Sequence, residues 1–131
     1  MIDYEVSIFD GACSKMAPLC ADGAFRSVQV PVLSKFPAAC LFERSNVTDT
    51  SRRTNNSLEE FAVITYESHV YDTTKAGCKA VFSELDDYMI SIGFSRMSAD
   101  YTPNTNNTTV FEYIARYRAE IDRNGVIYRR R

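Results

Sequence analysis

His69 is the single histidine of this chain, so any imidazole chemistry must run through it. It alternates with Glu67 and Tyr71 along a β-rich run, while Ser68 points to the opposite face of such a strand. A nucleophile–histidine–carboxylate relay therefore has no local footing, and a structural or exposed histidine is expected. Cys13, Cys20, Cys40 and Cys78 form no C-x-x-C pair, and structural zinc wants four ligands in clustered pairs. Reduced, mostly buried thiols acting as small apolar groups are the expectation. The sequence holds no phosphate-binding glycine loop, no H-E-x-x-H and no G-x-S-x-G. Asp and Glu residues from distant positions can converge in space, which a sequence does not reveal. An enzyme is disfavoured; no catalytic residue, metal or cofactor is expected.

Two basic footprints remain, Arg52-Arg53 in a polar stretch and Arg129-Arg130-Arg131 at the end. Neither has the density of a groove reader, so passive contact with DNA fits better than sequence-specific binding. With 131 residues and a net charge of −2, the chain reads as one domain, 1–131, without an overall pull on nucleic acid or anionic membrane. A chain of this size buries roughly 65–70% of its unfolded surface, enough for one core. Residues 1–24 carry Asp3, Glu5, Asp10 and Asp22 against Lys15, whereas 110–131 carry six Arg against Glu112, Glu120 and Asp122. That polarity would suit head-to-tail packing of copies, but a solvated surface gives the same count and is the favoured reading. No apolar run is long enough to span a membrane and no secretory signal opens the chain, which points to a cytosolic protein and makes the Asn/Thr-rich sequons plain loops.

The elements that must hold these residues can be read from periodicity. Ile2, Val6, Phe9, Cys13, Met16 and Cys20 make a helical stripe, weakened by Gly11 and closed near Pro18. Phe25 to Val32 reads as a short edge strand, with Pro31 barring it from a central place. Phe36-Pro37 launches a strand ending near Arg44, and Ser45–Leu58 reads as a polar loop, mobile until a partner orders it. Glu59–Tyr71 is a central strand with two partly apolar faces, Ala62, Ile64, Tyr66, Ser68 and Val70 on one side. A helix follows from Thr74 to Ile92, capped by Thr73 or Thr74 and stopped by Gly93. Val81, Leu85, Tyr88 and Ile92 form its apolar stripe, with Cys78, Phe82 and Met89 beside it; Glu84, Asp86 and Asp87 read as a solvated face. A strand starts at Arg96, a loop-forming run covers Thr102–Thr109, and a long strand fills Val110–Ile121. Asn124-Gly125 predicts a type I′ turn into Val126–Arg129. At roughly 3.3 Å per residue the long strand extends some 40 Å, enough to project and be completed by a neighbouring copy. The fold class is α+β: a mixed or antiparallel sheet of four to five strands with two helices.

This order and spacing resembles the tail-terminator, or tail-completion, proteins of long-tailed bacteriophages. The resemblance rests on Phe36-Pro37 opening a strand that ends Glu43-Arg44-Ser45-Asn46, on Gly93-Phe94-Ser95-Arg96, and on Tyr113-Ile114-Ala115-Arg116-Tyr117-Arg118-Ala119. It implies a structural virion protein: a homohexameric ring that caps the head-proximal end of the tail tube, ends tube polymerisation and joins tail to head. Its partners would be itself, the tail-tube protein and a head-completion or connector protein. Before assembly it would sit in the host cytoplasm. Arg52 and Arg53 become candidates for a lumen or partner loop, and Tyr113, Arg116, Tyr117 and Arg118 for a subunit-interface strand. Another neck-ring protein, or a small α+β enzyme or ligand-binding domain, is the alternative.

Overall fold

The computed structural model of the chain describes residues 3–20, 25–27, 36–48, 61–103 and 110–128. In chain order these form α1 (Glu5–Met16), β1 (Phe25–Arg26), β2 (Ala38–Thr48), β3 (Phe61–Asp72), α2 (Lys75–Ser91), β4 (Ser95–Pro103), β5 (Phe111–Asp122) and β6 (Ile127–Tyr128). The strands join one mixed sheet in the order β1-β2-β3-β5-β4, and β6 also pairs with β5. β1 runs parallel to β2, and every other pairing is antiparallel. The α+β class expected from sequence is the one found, with four long strands and two of two residues.

The sheet takes both helices on one face. Alternation places Ala62, Ile64, Tyr66, Ser68 and Val70 of β3 there, all buried, beside Ala115, Tyr117, Ala119 and Ile121 of β5. α2 closes over them with Cys78, Val81, Phe82, Leu85, Tyr88 and Met89, the stripe read from sequence. The Thr74 hydroxyl caps α2 by accepting the Gly77 N–H at 3.1 Å, and Gly93 follows the helix at φ +111°, where a side chain would be strained. β3 is central, as its two partly apolar faces predicted.

Several boundaries differ from the sequence reading. α1 turns Ile8, Ala12 and Met16 to the core, and Val6 is 74% exposed, so the predicted stripe is rotated. The cause is close packing. Gly11 leaves room for the Tyr88 hydroxyl, which donates to the Ile8 carbonyl at 3.0 Å and draws that side of α1 onto α2. Ser45–Thr48 continue β2 past a bulge between Glu43 and Ser45, so this part of the predicted loop is strand. Thr102 and Pro103 likewise end β4 instead of opening a loop. β5 does not project: β3 pairs with all twelve of its residues, and β4 with β6 fills its other side. The β5–β6 turn is not the expected two-residue type I′. Asp122 N–H donates to Val126 O and Gly125 N–H to Asp122 O, both at 3.1 Å, enclosing a three-residue loop. The Asp122 carboxylate stabilises it by accepting from the N–H groups of Asn124 and Val126, leaving Gly125 to take the positive φ of 83°. Of the expected Phe25–Val32 strand, Phe25–Arg26 is seen at the parallel edge; the remainder of that strand beyond residue 27 lies outside the described residues.

Candidate functional site

On the face of the sheet opposite the helices, three strands bring charged side chains into register. Glu67 of β3 faces Arg116 of β5, and Tyr71 faces Glu112. His69, two residues from each of Glu67 and Tyr71, lies between the two carboxylates. Its Nδ1 is 3.0 Å from Glu112 Oε1 and its Nε2 is 2.9 Å from Glu67 Oε2. Glu67 Oε1 accepts in turn from Arg44 of β2 at 2.8 Å and from Arg116 Nε at 2.9 Å. The centre is enclosed, with Glu67 and His69 only 6% and 5% exposed, while both arginines reach solvent. Phe42 and Tyr71 lie nearly parallel to the imidazole at 5.9 and 6.2 Å.

The electrostatics follow from this enclosure. Burial pulls the His69 pKa down, but hydrogen bonds and charge from Glu112 and Glu67 outweigh it, and the net shift is upward. Burial pulls Glu67 up, but the bonds from His69 and Arg116, with the His69 and Arg44 charges, hold it below the usual carboxylate range. With a carboxylate oxygen at each ring nitrogen, the arrangement favours an imidazolium donating from both. Such a ring has no lone pair left for a metal and no nitrogen left for a substrate proton, so the arrangement can clamp three strands but is poorly placed to act as a base. Cys40 and Cys78 are equally unsuited to nucleophilic work: burial pushes their thiols up to about 12 and about 11.

The residues singled out from sequence fall on both sides of the sheet. Arg116 and Arg118 lie on the helix-free face, exposed, with Arg116 joined to Glu67. Tyr113 lies under α2, stacked on Phe82 at 5.2 Å and against Tyr101 at 5.5 Å. Tyr117 is wholly buried, its hydroxyl donating to Asp86 Oδ1 at 2.9 Å. As a core residue it offers no surface to a neighbouring copy. Asp86, read as a solvated residue, instead anchors Tyr117 and Arg96. Arg52, Arg53 and 49–58 of the polar loop lie outside the described residues, as do 129–131. Sequence reasoning missed the Glu67–His69–Glu112 set because only the β3–β5 register makes Glu112 a neighbour. The available signal was the shared face of Glu67 and His69.

No family model matches the sequence, and no curated protein matches it. The fold is similar to a chain in a solved structure of the virion of a native gene transfer agent particle. The TM-score is 0.62 at 15% identity, over 90% of this chain and 92% of that one. At such identity the likeness is one of fold. It extends over nearly the whole of both chains.

Proposed function

We propose that this chain is a structural protein of a phage-like virion and, within that class, a tail terminator. In this reading it forms a ring on the last layer of the tail tube, stops tube growth and presents a new surface to the head-completion or connector protein. The observation that carries the proposal is the fold likeness to a virion chain over about nine-tenths of both lengths. The doubly engaged His69 and the buried thiols support assembly over catalysis.

The test is deletion of the gene in its phage, with lysates viewed by electron microscopy. Full heads beside unattached tails of uncontrolled length are expected, because an uncapped polymer keeps adding subunits. Normal tails joined to heads would reject a terminator. Tails of correct length that fail to join would assign the chain to a head-completion or connector ring instead.

A further inference from the structure

Beside the first turn of α1, three carboxylates meet over the helix-covered face of the sheet. Asp3 precedes α1, Glu5 opens it, and Glu43 comes from β2; one oxygen of each lies within 4.8 Å of the others. Oxygens gathered this closely can share one calcium ion at about 2.4 Å once the side chains draw in by a few tenths of an ångström. Asp3 is held in place by the Glu5 N–H, which donates to its Oδ1 at 3.1 Å.

Tyr66 supplies a second, separate observation. It is the cross-strand partner of Glu43, fully buried, and its hydroxyl has no hydrogen-bond partner. Phe94 packs edge-on against its ring at 5.4 Å. Tyr88 of α2 does not supply the partner, because its hydroxyl is committed to Ile8 O. One Glu43 oxygen is likewise buried without a partner. Buried polar atoms are nearly always satisfied, and the free lone pairs on the Tyr66 hydroxyl and the Glu43 oxygen are ones that a cation among these carboxylates could take up.

We propose that Asp3, Glu5 and Glu43, backed by the Tyr66 hydroxyl, bind one divalent cation of the hard, oxygen-preferring class, with Ca²⁺ the best fit by size. The ion neutralises repulsion among the carboxylates and ties α1 to β2.

Calorimetric titration of the full chain with Ca²⁺ and with Mg²⁺ tests this. One Ca²⁺ per chain is expected, with a Kd of roughly 10⁻⁴–10⁻³ M, as for other weak oxygen-ligand sites. Mg²⁺ should bind more weakly, because it demands a tighter octahedral shell than three carboxylates this far apart supply. Glu43→Gln should weaken binding tenfold or more. Asp3→Asn, at an exposed position outside the core, should weaken it several-fold and decides the matter if the first variant does not fold. Absence of saturable Ca²⁺ binding overturns the proposal. So does binding unchanged in both variants, the signature of an adventitious ion only.

Discussion

His69 shows how a residue that looks chemical can have both its nitrogens engaged within the fold. Its two ring nitrogens each meet a carboxylate, and Glu67 meets two guanidinium groups besides. Charge-assisted bonds of this kind exceed neutral ones, and stranding a buried carboxylate costs more than the bond itself. His69→Gln should therefore destabilise the fold by about 2–3 kcal/mol, with the half-exposed arginines limiting the loss. The effect should depend on pH. His69's folded pKa lies above its ordinary 6.5, so its contribution is complete below that value and fades as pH rises through the raised one. Glu67's folded pKa lies below its ordinary 4.5, so its contribution is complete above that value and fades as pH falls through the lowered one. The gap in Tm between the native chain and His69→Gln should be widest between 4.5 and 6.5 and narrow on either side. A gap that does not change from about pH 5 to pH 9 would mean the imidazole is neutral in the fold.

Among the elements, α1 carries the most instructive disagreement with its sequence. Gly11 in mid-helix costs about 1 kcal/mol in intrinsic propensity relative to Ala. The structure explains it: an added Cβ would fall on the Tyr88 hydroxyl, which is bonded to Ile8 O. Gly11→Ala should thus destabilise by ~1–2 kcal/mol despite the better helix former. In a Tyr88→Phe background, with no hydroxyl to displace, the same change should become neutral or stabilising by up to ~1 kcal/mol. Equal costs in the two backgrounds, measured by denaturant unfolding, would dismiss the contact as the reason for glycine. Periodicity served well where one principle ruled. The α2 stripe and the alternation of β3 and β5 were legible because each buries an apolar face against one layer. It failed for α1, where a glycine–tyrosine contact outweighs a row of larger apolar residues. It failed again at Asp122, whose side chain converts an Asn-Gly signal into a three-residue loop. The shared face of Glu67 and His69 was the local trace of the His69 network, but Glu112 reaches it only through the β3–β5 register, and Glu43 reaches Asp3 and Glu5 only through helix placement.

At the scale of the whole molecule, the proposed ring raises the question of which side of the long β5 strand a neighbouring copy would meet. Alternation splits the resembling Tyr113–Arg118 segment between two environments. Tyr117 supports the core, whereas Arg118 is exposed on the helix-free face opposite Thr65 and Ser95. The two residues should therefore fail in different ways. Tyr117→Ala removes a fully buried aromatic side chain and its bond to Asp86, a loss of about 3–5 kcal/mol, so folded protein and assembly should decline together. Arg118→Glu should leave thermal stability within about 0.5 kcal/mol of the native chain, as surface changes usually do. In a closed ring every interface is a copy of the others, so reversing one surface charge is felt at each of them. If the helix-free face takes part in the ring, Arg118→Glu should yield a folded chain that no longer caps purified tail tubes, scored by electron microscopy of the mixture. Full capping by this variant, with Tyr117→Ala unfolded, would remove the helix-free face from the interface and leave β5 a purely internal strand.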